Sequence, residues 1–84
     1  MEKSGPRLRA SRERQHILLS LLRQIREERD LRQADVAQRL GYPQSVVSKY
    51  ENGERRVDVI EFLDIAHAIG FDPISFMRKV LKSH

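Results

Sequence analysis

The chain contains no cysteine, which excludes disulfides, iron–sulfur ligation and thiol nucleophiles together. Its three histidines, His16, His67 and His84, are not spaced against one another or against carboxylates as metal ligands are, so neither a metal nor a cofactor is expected. No apolar run approaches the length of a membrane span, and no apolar stretch follows the charged N-terminus as in a signal peptide. A cytoplasmic protein with no membrane partner is expected. Catalytic machinery is also missing: no nucleophile stands with a paired base, and there is no glycine-rich phosphate loop. An enzyme is therefore not expected of these 84 residues, which are enough for one small domain and too few for two. Sustained period-two alternation is absent as well, which removes the sheet and leaves an all-α class.

Charge, by contrast, is plentiful. The chain is 33% charged and 39% hydrophobic, with a formal net charge of +4 and a pI near 10.0. This surplus suits a polyanionic partner, but charge alone does not separate nucleic acid from an acidic protein, an anionic membrane or plain solubility.

Residues 1 to about 10 carry Lys3, Arg7 and Arg9 around Gly5 and Pro6 and read as a flexible basic arm, either idle or lying along phosphates. From Ser11 the pattern becomes helical. Ile17, Leu18, Leu21, Leu22 and Ile25 form one stripe, opposite Arg14, Gln24 and Glu28, over residues 11–29. A short helix is predicted over 33–40, with Ala34, Ala37 and Leu40 on a shared face, Val36 close by, Asp35 in the first turn and Gly41 as a left-handed stop. A third follows over 44–51 after Pro43, with Val47 and Tyr50 inward and Asn52-Gly53 ending it. The fourth, over 59–69, is marked by the Asp58…Glu61 capping box, by Val57 facing Phe62, and by an apolar surface of Ile60, Phe62, Leu63, Ile65, Ala66 and Ile69. Gly70 closes it, and Asp72-Pro73 opens a fifth helix over 73–82 carrying Ile74, Phe76, Met77, Val80 and Leu81. The expected architecture is a compact five-helix domain over residues 11–84.

Two short helices joined by Gly41-Tyr42-Pro43 form a rigid, steeply angled pair, because the turn is too short for an antiparallel hairpin. Its second member is a probe of the width of a DNA major groove. At this point the string from Leu22 to Pro73 resembles the phage-repressor (Cro/C1, XRE) class of helix-turn-helix proteins. The most specific segments are Gln33-Ala34, Ala37 to Gly41, VVSKYENG and AHAIGFDP. The resemblance implies a lambda-repressor-like five-helix domain that binds double-stranded DNA. It implies base contacts from Gln44, Ser45 and Lys49, with Ser48 a further candidate, and phosphate contacts from Gln33 and Asn52, extended by Arg55 and Arg56. Val46, on the outward side, reads as a contact to a thymine methyl or as partly buried.

The chain departs from the family pattern at two places. Arg32 stands where a small hydroxyl cap is common, so it cannot cap the second helix but can reach a phosphate, and Pro43 replaces a frequent Thr or Ser. The resemblance also implies a bridge between Arg26 and Glu51 that holds the recognition helix to the scaffold.

One recognition helix reads too few base pairs for a single genomic address, so a homodimer on a palindrome is expected. The family often builds the interface from its last helix and the preceding loop, here Phe71, Ile74, Met77 and Leu81; alternatively, Phe76 and Val80 complete the monomer core and DNA alone pairs the copies. The function that follows is a sequence-specific transcriptional regulator, by default a repressor. A protein-interaction module or antitoxin-like partner with secondary DNA binding is the alternative. Polar residues at Gln33, Gln44, Ser45 and Lys49 argue against that alternative, since a pure interaction module has no need of them.

Overall fold

The computed structural model describes residues 6–83, and among these residues there are five helices and no strand. They are α1 (Pro6–Glu28), α2 (Gln33–Leu40), α3 (Gln44–Glu51), α4 (Val59–Ile69) and α5 (Pro73–Ser83). The spans of α2, α3 and α4 coincide with the sequence reading, and α5 runs one residue further. The difference lies in α1, which starts at Pro6 instead of Ser11. Proline suits a first helical position, where no amide donor is needed. Of the arm expected over residues 1–10, residues 6–10 are therefore helical, and residues 1–5 lie outside the described residues, as does His84.

α1 packs against α3 and α5, α2 against α3 and α4, and α4 against α5. The core they enclose contains Leu19, Leu22, Val36, Ala37, Val47, Tyr50, Phe62, Ile65, Ile69, Phe76 and Val80. Its composition corrects the sequence reading on three helices. On α1 the deepest line is Leu19, Leu22 and Arg26, while Ile17, Leu18, Leu21 and Ile25 flank it half-buried. On α2 the inward pair is Val36 and Ala37, and Ala34 is exposed. On α4, Ile60 and Leu63 are exposed, and the core takes Phe62, Ile65, Ala66 and Ile69. A helix whose apolar residues span more than one face does not set its own rotation; the neighbouring helices do.

The helix ends are held by local chemistry. Asp58 Oδ1 accepts the Glu61 amide at 2.7 Å, and Glu61 Oε1 accepts the Asp58 amide at 3.2 Å, completing the expected capping box. At α5, Asp72 accepts the Ile74 amide and the Ser75 hydroxyl, each at 3.0 Å. These bonds to the ionised form, the Ile74 amide foremost, hold the Asp72 carboxyl below the usual carboxylate range. Gly70 ends α4 with a φ of 93°, a left-handed conformation that disfavours side chains. The rings of Phe62, Phe71 and Phe76 then pack around the α4–α5 junction with centroids 4.7–6.0 Å apart. Two arginines complete this corner: Arg29 donates to the carbonyls of Ile69 and Gly70, and Arg39 Nη1 donates to the Ala68 carbonyl at 2.8 Å. Cations here satisfy the bare acceptors at the negative end of α4.

Candidate nucleic-acid interface

α2 and α3 share one turn. Gly41 adopts φ 75°, and the amides of Gly41 and Tyr42 donate to the carbonyls of Gln38 and Ala37 at 3.2 and 3.0 Å, so the chain reverses within a single capped turn. Pro43 is the N-cap of α3 and lies in an extended conformation just before the first helical residue, Gln44. Val47 and Tyr50 then pin one side of α3 into the core. That fixes the opposite side: Gln44, Ser45, Lys49 and Asn52 are exposed, while Val46 and Ser48 are half-buried. Ser45, Lys49 and Asn52 follow at four and three residues and so lie on one stripe.

A buried polar network orients this face. Arg26 Nε donates to Glu51 Oε2 at 2.7 Å, and Arg26 Nη2 donates to Oε1 at 3.1 Å. Gln33 Nε2 donates to the same Oε1 at 2.9 Å, while Arg26 Nη1 donates to the Leu31 carbonyl at 2.7 Å. The Arg26 and Glu51 side chains are 9% and 2% exposed. The hydrogen bonds to Glu51 raise the Arg26 pKa further above its already high ordinary value. One carboxylate thus ties the last residue of α3 to α1 and to the first residue of α2. The bidentate bridge that the family resemblance implied is present. The tie to Gln33 was not foreseen from sequence.

The other residues expected at phosphates fall into two groups. Arg32 is 81% exposed on its side chain, with its guanidinium 3.0 Å from Asp35. Asp35 also accepts the Arg32 amide at 2.8 Å, which is the half of a capping box that does not need an acceptor at position 32. The Arg32 guanidinium, more than the amide, holds the Asp35 carboxyl below its ordinary range. Asn52 and Arg56 are exposed, at the start and towards the end of the α3–α4 turn. Arg55 is half-buried in the same turn, with Nη2 2.6 Å from Glu61 Oε2, so its charge is already matched.

The cations divide into those with a partner within the chain and those without one. Arg23, Arg26, Arg29, Arg32, Arg39 and Arg55 all donate to carboxylates or carbonyls. Lys49 and Arg56 have no ion pair or side-chain hydrogen bond among the described residues. Sequence reasoning missed the scaffold roles of Arg29 and Arg39. It also missed that Arg12, His16 and Ser20 line a groove beside Asn52 and Gly53, although their four-residue spacing was legible.

A short capped pair of helices, with the second presenting a rigid polar face from a five-helix domain, defines a helix-turn-helix module. This chain belongs to the XRE-type helix-turn-helix family, whose helix-turn-helix model matches residues 22–76. An XRE-family like protein from Pseudomonas syringae pv. tomato str. DC3000 is 44% identical, with 88% of this chain and 90% of that chain covered and a TM-score of 0.84. The restriction-modification controller protein C.AhdI from Aeromonas hydrophila is 27% identical, with coverage of 74% and 94% and a TM-score of 0.68. The clp gene regulator ClgR from C. glutamicum shares the fold at 18% identity, with coverage of 83% and 91% and a TM-score of 0.75. No curated protein matches the sequence.

Proposed function

We propose that this protein is a sequence-specific double-stranded DNA-binding transcriptional regulator that acts as a homodimer on a palindromic operator, most simply as a repressor that covers a promoter. The observation that carries this reading is the exposed polar stripe of α3, held in place by the buried Arg26–Glu51–Gln33 network. A side chain that must find a base edge to within a fraction of an ångström needs such a mount. In this reading Gln44 forms a paired contact with adenine, and Lys49 donates to guanine acceptors. Ser45 and Ser48 supply further base contacts, and the half-exposed Val46 meets a thymine methyl. Arg32, Asn52 and Arg56 take phosphates from both ends of the module. Gln33 adds its backbone amide at the start of α2, its side-chain nitrogen being used by Glu51. Arg55 supports the turn through Glu61. The family membership and the regulators named among the similar structures support the same reading.

Dimerisation through α5 is supported by Ile74 and Leu81, which are 62% and 66% exposed, with Phe71 and Met77 half-buried beside them. Ile60 and Leu63 of α4, exposed contrary to expectation, add apolar surface to the same proposal. This surface is also what favours the second reading, an interaction module for another protein. Selection from a randomised duplex library at about 0.15 M salt, followed by sequencing, separates the two readings. A two-fold symmetric motif with half-sites about one helical turn apart is the expected result. Folded protein that enriches no sequence would leave the interaction module standing.

A further inference from the structure

α1 is 23 residues long, about 34 Å at the helical rise, and the family match begins only at residue 22. Most of this helix therefore lies upstream of that matched segment, and its outer face carries polar side chains. Arg12, His16 and Ser20 recur at four-residue steps, and with Gln15 they line a groove of about 310 Å³ whose other wall is Asn52 and Gly53. Leu19, buried, also lines it. A second groove of about 220 Å³ shares Gln15 and Leu19 and leads on to Arg56 and Val57. Together the two grooves form a channel between α1 and the α3–α4 turn, with Gln15 and Leu19 as their shared wall.

The chemistry of this channel suits an anion. Glu51 is its one acidic lining residue among the described residues, and that carboxylate is 2% exposed and neutralised by Arg26. The end of α3 would oppose an anion if its carbonyls were bare. Instead the carbonyls of Ser48, Lys49 and Tyr50 accept the amides of Asn52, Glu54 and Gly53 at 3.0, 2.9 and 3.1 Å. What remains available is a set of side-chain donors from Arg12, Gln15, His16, Ser20 and Asn52. Arg12, like Arg56, has no ion pair or side-chain hydrogen bond among the described residues. The channel also begins where the reading face ends, because Asn52 completes the stripe of Ser45 and Lys49.

We propose that this channel is a second DNA-backbone site, in which Arg12, His16 and Ser20 of α1 join Asn52 and Arg56 to hold phosphodiesters of the strand flanking the α3 footprint. The site rests on the DNA-binding reading above and deepens it. It lengthens the footprint beyond the half-site and adds affinity without adding base specificity.

The test measures binding to the selected operator as two duplexes, one trimmed to the half-sites and one with about ten flanking base pairs at each end, roughly one further turn of DNA. Wild type, Arg12→Ala, Arg12→Glu and Lys49→Ala are compared across a salt series. Because Arg12 is exposed, its variants should keep the wild-type helical content and melting temperature. On the long duplex, Arg12→Ala is expected to bind about tenfold more weakly whatever the flanking sequence, with a salt slope lower by about one. Arg12→Glu should lose more, and both should match wild type on the trimmed duplex. Wild-type affinity and slope for the Arg12 variants on the long duplex, while Lys49→Ala loses selectivity, would overturn the channel and leave the reading face intact. Equal losses on both duplexes would also overturn it, by placing Arg12 within the half-site. A wild-type protein with no selective binding would remove the DNA reading itself, and the channel with it.

Discussion

The carboxylate of Glu51 accepts three donors from two other helices, and each donor has a different consequence. Arg26→Ala or Glu51→Ala leaves a buried charge without its partner and is expected to cost about 3–5 kcal/mol, read from the urea midpoint. Gln33→Ala removes one bond but leaves the ion pair intact, and about 1 kcal/mol is expected. Tyr50 provides the converse case. Its ring is buried, but its hydroxyl has no hydrogen-bond partner among the described residues, and burial pushes its pKa far above the usual phenol range. Tyr50→Phe keeps the packing and removes an unsatisfied group. Its stability should equal or exceed that of the wild type in thermal unfolding; a loss of more than about 1 kcal/mol would show that the hydroxyl makes a useful bond.

At the scale of the element, stability is concentrated where helices end. Replacing Gly70 by Ala would force a side chain into φ 93°, and the new Cβ would lie 3.3 Å from Arg29 Nη1, the atom that reaches the last carbonyls of α4. About 1–2 kcal/mol should be lost, in the same unfolding assay. The acidic caps set a pH dependence. Asp72 and Asp35 are both held below the ordinary carboxylate range by bonds to their ionised forms. Their folded pKa values lie below the unfolded ones, so their contribution is complete above the unfolded value of about 3.9. It is lost as pH falls through the folded values. The melting temperature should therefore drop with acidification below about pH 4, and Asp72→Asn should make that drop shallower. An unchanged acid limb in Asp72→Asn would mean that the cap is not formed in solution.

For the whole molecule, exposed cations and exposed apolar groups share α5, where Arg78, Lys79 and Lys82 stand on the same helix as Ile74 and Leu81. Lys49 and Arg56, two of the cations with no ion pair or side-chain hydrogen bond among the described residues, belong to α3 and the turn after it, while Ile60, Leu63, Ile74 and Leu81 expose apolar surface on α4 and α5. If the latter surface pairs two copies, Ile74→Asp combined with Leu81→Asp should yield monomers in sedimentation equilibrium. The same variant should bind an isolated half-site as wild type does and lose its advantage on the palindrome. Both residues are well exposed, so the fold should tolerate the change. An unaltered molecular weight would assign this surface to another partner or to none.

The sequence by itself determined the number of the helices and most of their ends, because the signals that start and stop them are local. Asp58 with Glu61, Asp72 with Pro73, and the glycines at 41 and 70 act within three or four residues of where they stand, so the spans of α2, α3 and α4 could be read directly. The start of α1 could not, because Gly5 and Pro6 are equally consistent with a loop and with a helix that opens on proline. The exposed face of α3 was legible for a related reason: Val47 and Tyr50 were apolar enough to set its rotation. On α2 and α4 the apolar residues exceed what one face can bury, and only contact with neighbouring helices decided that Val36 goes in and Ala34, Ile60 and Leu63 stay out. Arginine was the least legible residue. Its long side chain can reach a phosphate, a carboxylate or a helix end with equal ease, and only the tertiary structure, by bringing α4's last carbonyls to Arg29 and Arg39 and Glu61 to Arg55, decided which charges serve the fold and which remain for a partner.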